Sequence, residues 1–301
     1  MEYKPTLKDW IDAPRPWSFS MPSMTAALTF IYVFLQYRQE PIEVNWLFGV
    51  LCFFAVGILQ GSCNLISDYV DYKQWVDRED ILGSTHLVRK VFRPETVLSY
   101  ALWLLVIGVS IGLLILFNTG KPILYIGIIA LIFTLFYSYF KYRAMGELVS
   151  LITYGPLVSL GTLYAMTCSL NWEVVALSLP LTSISVTTIH ANNTRDILHD
   201  RRANITTIPT LIGAKGAILE YKAFMYASYL LVVALVITGM MHWITLLTLL
   251  TLPFAIRNCR VMDTASVDQP ANIGTLDLRS SKFQFAFSCV LCGLFLISGW
   301  L

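Results

Sequence analysis

Two acidic stretches of the chain bring together side chains that could do chemistry. NLISDYVDYKQWVDRED (64–80) spaces Asn64, Asp68 and Asp71 at i, i+4 and i+7, with Asp77 and Asp80 following. HANNTRDILHDRRANITT (190–207) spaces Asn192, Asp196 and Asp200 at i, i+4 and i+8, with Asn193 and Arg195 beside them. On continuous helices each set shares one face, an amide stacked over two carboxylates. Both sets follow long apolar runs. A carboxylate near a bilayer core costs about 2.5–3.5 kcal/mol, and two held about 6 Å apart repel by roughly 3 kcal/mol at an effective dielectric of 20. Such an arrangement calls for a cation or deep access to water. Carboxylates contributed by two helices suit Mg²⁺, a hard ion that takes a few carboxylates plus phosphate oxygens and water. Asn amides can assist, and Arg or Lys can neutralise the remaining phosphate charge. The implied ligand is a diphosphate. Solvated helix caps would account for one such cluster; two of similar spacing point to a shared site. A non-catalytic lipid or ion carrier stays as the alternative, since intramembrane acids also mark ion pathways. Carriers, however, tend to place their sites near the midplane on broken helices.

The elements that must position these residues are plain from composition. Of 301 residues 56% are hydrophobic and 13% charged, about half the charged share of an ordinary soluble domain. Nine stretches are apolar enough and close enough to the length of a spanning helix, near 18–37, 45–66, 97–117, 121–140, 148–168, 173–191, 221–239, 242–258 and 283–301. The expected fold is therefore all-α, a polytopic bundle of about nine transmembrane helices. With the N-terminus inside, only Arg38 and Lys121 of the 21 Lys and Arg fall on outer loops. That bias places loops 67–96, 192–220 and 259–282 on the cytoplasmic face and makes it the active one. No apolar h-region of a cleavable signal occurs in the first seventeen residues, which hold Glu2, Asp9, Asp12 and three prolines. No linker divides the chain, so residues 1–301 are expected to form one membrane domain. Asn64/Asp68 and Asn192/Asp196 lie 128 residues apart in similar settings, a faint internal echo. The six cysteines lie mostly in or at the ends of apolar helices and are expected to pack there, the Cys289–Cys292 pair included. A formal charge of +2 says little by itself about partners, and no nucleic-acid partner is expected.

These motifs resemble the two aspartate-rich motifs of the UbiA superfamily of intramembrane prenyltransferases, and most closely its 1,4-dihydroxy-2-naphthoate prenyltransferase branch. APRPWSFSMP (13–22) is similar to that branch's entry to its first helix, and DYVDYKQWVD (68–77) has its longer spacing to a third Asp. FYSYFKYRAMGELVSLITYGPLVSLGTLY (136–164) and NNTRDILHDRRANITTIPTLIG (192–213) resemble further stretches, in the same order. There are two departures: Ser67 stands where many members have Asn before the first Asp, and Asn204-Ile205 replaces a usual Gly-Lys.

The resemblance implies a helical bundle around a lipid-accessible cavity with polar cytoplasmic cap loops, in a membrane such as the bacterial inner membrane. It implies Mg²⁺-dependent transfer of a polyprenyl group from its all-trans diphosphate to an aromatic acceptor, 1,4-dihydroxy-2-naphthoate in menaquinone biosynthesis. The same chemistry on 4-hydroxybenzoate, a chlorin-type ring or glycerol phosphate is the alternative. By position, Asp68, Asp71, Asp77, Asp196 and Asp200 are the catalytic carboxylates, with Asp68, Asp71, Asp196 and Asp200 holding metal. Asn64, Asn192, Asn193, Lys141, Arg143, Arg195, Tyr137 and Ser138 are candidates for the diphosphate, and Arg15 and Glu147 for the acceptor. His190 and His199 are weaker candidates for a proton acceptor.

Overall fold

The computed structural model describes residues 4–74, 76 and 86–301, and is helical with no strand among them. Asp77 and Asp80 lie outside the described residues. In chain order the α-helices are α1 (Leu7–Asp12), α2 (Ser20–Gln39), α3 (Trp46–Lys73), α4 (Pro94–Thr119), α5 (Lys121–Leu135), α6 (Tyr137–Lys141), α7 (Gly146–Ile152), α8 (Val158–Thr167), α9 (Glu173–Arg195), α10 (Ile197–Arg202), α11 (Ile208–Ile237), α12 (Leu252–Met262) and α13 (Leu276–Ser298). Among the described residues seven continuous or nearly continuous helices are long and apolar enough to cross a membrane. A 56° bent pair, Leu7–Ser18 with Ser20–Gln39, makes an eighth. The expected count of nine is not reached by this measure, because α5 stops after 15 residues and the chain breaks at Phe136 before α6.

Two other expected spans are not simple α-helices. The stretch 148–168 is α7 and α8 joined by a π-helical turn, Thr153–Leu157, that contains Pro156. Proline cannot supply the amide for a regular ladder bond, so the turn widens there. The stretch 242–258 begins as a 3₁₀ helix, Trp243–Thr251, and becomes α12.

Burial ranks the helices by their neighbours. α9 packs against α2, α8, α11 and α13, and 78% of its apolar stretch is buried; for α4 the figure is 17%. The composition explains the contrast. α4 presents Leu102, Trp103, Val106 and Phe117 outward, side chains that lipid solvates well. α9 instead carries Ser178, Thr182, Ser183, Ser185 and Thr187, small enough for close helix contact. Their hydroxyls are satisfied locally, as in Thr182 to the Ser178 carbonyl at 2.9 Å and Ser185 to that of Leu181 at 2.7 Å. Ser183 crosses to the Phe224 carbonyl of α11 at 2.9 Å. The central helix is thus held by packing and hydrogen bonds, as expected where water supplies no hydrophobic drive between helices.

Candidate active site

The C-terminal end of α3 and the far end of α9 open onto the same cavity of about 570 Å³. Asp68 and Asp71 project into it from α3, Asp196 from the end of α9, and Asp200 from α10. The expected single helix through Asn192, Asp196 and Asp200 is interrupted at Asp196, where α9 ends and α10 begins. Consecutive helical residues do not face one another, yet Arg195 grips Asp196 with two bonds, 2.8 and 2.9 Å. The break at Asp196 makes that grip possible. The Asp196 carbonyl still accepts the Asp200 amide at 2.9 Å, so α10 continues almost on the same line.

Each carboxylate has a basic or hydroxyl partner, distant in sequence for Asp68 and Asp71 and nearby for Asp196 and Asp200. Arg15, in a left-handed backbone conformation (φ 56°), donates to Asp68. Asp71 accepts from the Tyr142 hydroxyl and from Lys141 Nζ at 3.3 Å. Arg195, buried, donates also to Asn192 at 2.7 Å and to Asp277 at 3.0 Å. Asp200 accepts from the Thr207 hydroxyl at 3.3 Å. Burial pushes the Asp200 carboxyl up to about 7; Lys141 pulls it down, while Asp196 and Asp71 add to the rise. Asn64 donates to the Pro14 carbonyl and Ser18 Oγ, both at 2.8 Å, and so ties α3 to the entry of α2.

The remaining candidates divide. Tyr137, Lys141, Arg15, Arg195, Asn64, Asn192 and Asn193 line the cavity; Arg143, Ser138 and Glu147 do not. Arg143 turns outward, its guanidinium 3.6 Å from the centre of the Tyr139 ring and bonded to the Tyr139 carbonyl at 3.0 Å. The reason is local backbone geometry. Residues 142–144 pair with Thr206 in an extended bridge, with Ala144 N to Thr206 O at 2.7 Å and Thr206 N to Tyr142 O at 3.2 Å. Lys141 and Arg143 flank Tyr142 on that segment and leave in different directions. Ser138 is buried away from the cavity. Glu147 sits behind the wall, 2% exposed, accepting from Asn193 at 3.1 Å and lying 3.4 Å from His190 Nδ1. His190 Nε2 is 2.9 Å from the Ala217 carbonyl, so it carries a proton there. His199, in contrast, lines the cavity. Asn204 adopts a left-handed turn at φ 55°, a conformation Asn tolerates better than most residues.

Sequence reading missed several cavity residues. Asp277 opens the last helix, far from either motif, and only its contact with Arg195 reveals it. Tyr142, which donates to Asp71 without lining the cavity, adjoins Lys141 and was open to notice. Gln60 lies one turn before Asn64 on the same face, donating to it at 3.1 Å and accepting from Tyr154 at 2.9 Å. This pair forms a second polar layer below the carboxylates. Thr188, one turn before Asn192, has a buried hydroxyl with no partner and lines the cavity too.

The donor set bears on which metal fits. The side chains at the polar end are two pairs of hard oxygen donors on opposite helices, and among the described residues no three His, Cys, Asp or Glu side chains form a cage. That pattern fits Mg²⁺ shared with phosphate oxygens better than a metal enclosed by protein alone. Arg15, Lys141 and Arg195 stand among the carboxylates as ready partners for an anion.

Comparison with known proteins agrees with this geometry. Residues 23–273 match the UbiA prenyltransferase family. The UbiA prenyltransferase domain-containing protein 1 of Rattus norvegicus is 31% identical over 231 residues, 74% of this chain and 66% of its own length. The chain thus spans just under two thirds of that relative. The 1,4-dihydroxy-2-naphthoate octaprenyltransferase of Bacillus subtilis is 27% identical over 229 residues, 74% of each chain. A UbiA homolog from Archaeoglobus fulgidus bound to GPP and Mg²⁺ has the same fold, with a TM-score of 0.60 at 14% identity over 94% of this chain and 99% of its own.

Proposed function

This chain belongs to the UbiA prenyltransferase family, and on that premise we propose that it transfers a polyprenyl group from a polyprenyl diphosphate to 1,4-dihydroxy-2-naphthoate. The observation that carries the proposal is one cavity with two unlike ends. Its polar end gathers Asp68, Asp71, Asp196 and Asp200 with Arg15, Lys141 and Arg195; the rest of the wall is mostly apolar, broken by the Gln60–Tyr154 layer. A diphosphate with a long hydrocarbon tail has that same division. The naphthoate acceptor is favoured by the sequence motifs and by the named activity of the Bacillus subtilis relative.

Bound Mg²⁺, held by Asp68, Asp71, Asp196 and Asp200, would supply Lewis-acid stabilisation of the departing diphosphate. The chain's own groups do the rest. Lys141 and Arg195 each hold a carboxylate now and can turn part of their hydrogen bonding to phosphate oxygens. Arg195 is suited to this because Asn192, Asp196 and Asp277 fix its plane. Ionisation of the allylic C–O bond leaves a carbocation in the apolar part of the cavity, where the buried wall excludes water that would quench it. The electron-rich ring carbon of the acceptor attacks and its proton passes to the released diphosphate; the naphthoate carboxylate then leaves as CO₂ and a proton takes its place on the ring, giving the prenyl naphthoquinol. Gln60 and Tyr154, one turn below Asn64, are placed to orient an acceptor hydroxyl. Glu147 and His190 act from behind by aiming Asn193. The positive-inside bias of the loops supports a cytoplasmic position for this end of the bundle.

The test uses purified protein in detergent with 1,4-dihydroxy-2-naphthoate, labelled geranylgeranyl diphosphate and Mg²⁺, against an EDTA control. A labelled prenyl naphthoquinol that requires Mg²⁺ is the expected product. Transfer to 4-hydroxybenzoate or glycerol phosphate instead would overturn the acceptor. Absence of Mg²⁺-dependent diphosphate binding would overturn the site.

A further inference from the structure

The cavity's apolar arm is walled by glycines whose missing side chains leave room that nothing else occupies. On α4 the lining residues Gly108, Gly112 and Ile115 follow a helical face, and on α5 Ile123, Gly127 and Ala130 do the same. α8 adds Gly161. A Cβ placed on Gly112 or Gly127 would meet no atom within 4 Å, and one on Gly161 would meet only Ile126 Cγ2, at 3.4 Å. Other glycines of the bundle are different. A Cβ at Gly49 would come 2.6 Å from Phe30, and one at Gly108 2.6 Å from Leu59, so those two serve tight packing. Gly112, Gly127 and Gly161 have no such packing reason; their space belongs to the cavity.

Their depth gives the space a purpose. Along α3 the cavity runs from Asp68 down to Cys52, sixteen residues or about 24 Å of helix. At that depth the lining residues Cys52, Ile115 and Ile123 pack with Phe48, Ala165 and Ile111 in one apolar cluster. Gly112 and Gly161 lie within a turn of Ile115 and Ala165, and Gly127 one turn from Ile123, so the three stand at this apolar end, away from the carboxylates. The cavity's polar end meanwhile keeps the unpartnered buried Thr188 hydroxyl, an independent sign that a ligand fills it.

We propose that Gly112, Gly127 and Gly161 set the length of prenyl chain that this cavity accepts. The inference rests on the prenyl-diphosphate reading above. A short chain ends before reaching the glycines; a longer one must pass between them. A side chain at these positions occupies the same volume as the distal isoprene units.

The experiment compares Mg²⁺-dependent binding of geranyl and geranylgeranyl diphosphate to the full chain and to Gly112→Leu and Gly127→Leu, with transfer rates as a second readout. Gly293→Leu on α13 is the control, since its Cβ also meets nothing within 4 Å but it does not line the cavity. The expected result is at least a tenfold loss of affinity for the longer diphosphate in both cavity variants. Affinity for geranyl diphosphate stays within twofold, and Gly293→Leu matches the parent for both ligands. Equal loss for the two chain lengths, or no loss for either, overturns the proposal. A parent protein that binds both diphosphates but transfers neither defeats the transferase reading and leaves the length comparison decisive. A parent that binds neither overturns both.

Discussion

Replacing Asp200 by Asn should stabilise the metal-free protein while disabling it. Asp200 is 3% exposed, on α10 just beyond the end of a spanning helix, with Asp196 and Asp71 near it. Its carboxyl titrates near 7 in the fold against an ordinary 3.8. A folded-state value raised in this way means that the native protein binds the extra proton between those limits. Stability from this group is therefore full below about pH 4 and is lost as pH rises to about 7. At 1.36 kcal/mol per pH unit the interval corresponds to about 4 kcal/mol against the folded state at pH 8. Asn has the same shape, can still accept from Thr207 and carries no charge to bury. Asp200→Asn should thus raise the apparent melting temperature at pH 8 in EDTA, by about 8 °C if each kcal/mol moves it about 2 °C. At pH 4 the two proteins should melt alike. A scan at fixed rate in detergent, at several pH values, makes the comparison. The same variant should lose prenyl transfer, because a neutral amide is a poor metal ligand and leaves one carboxylate fewer. If Asp200→Asn melts no higher than the parent at pH 8, or gains as much at pH 4, the account of a carboxylate kept under strain for function is wrong.

Other perturbations test neighbouring parts of the site. Arg195→Met strips the partner from Asp196 and Asp277 and should cost about 3–5 kcal/mol of stability, read as a lower melting temperature; Arg195→Lys should recover part of the stability but little activity, because an ammonium cannot grip bidentately. Mg²⁺ and a non-hydrolysable prenyl diphosphate analogue together should stabilise by about 2.7 kcal/mol at one hundred times the dissociation constant, and each alone by far less; an equal shift with Mg²⁺ alone would mean a metal site complete without phosphate. Tyr154→Phe removes the hydroxyl that Gln60 accepts and should cost about 1 kcal/mol, with a raised KM for the acceptor and an unchanged KM for the diphosphate. Unchanged acceptor KM would remove the Gln60–Tyr154 layer from the acceptor site.

How much of this was legible from sequence differs from residue to residue. Asn64, Asp68 and Asp71 could be placed on one face because helical periodicity is a local property, set within two turns. Asn192 and Asp196 could be placed likewise, although the break at Asp196, where Arg195 turns to grip the carboxylate, was not visible. The apolar runs showed a multi-span membrane protein, since hydrocarbon demands that backbone polar groups be satisfied within each segment. Where the spans would be irregular, at the Pro156 turn and at Phe136, was not evident from hydropathy. Lys141 and Arg143 looked equivalent in the sequence, two residues apart with the same charge. The fold separates them, sending one to Asp71 and the other onto the Tyr139 ring. Asp277 and the glycines of α4, α5 and α8 carry no local signature. They become site residues only because helices distant in sequence turn particular faces toward one cavity. The side chains available, and the face each shares with its near neighbours, are written in the sequence. Which faces meet is decided by packing of the whole bundle, where every contact depends on all the others.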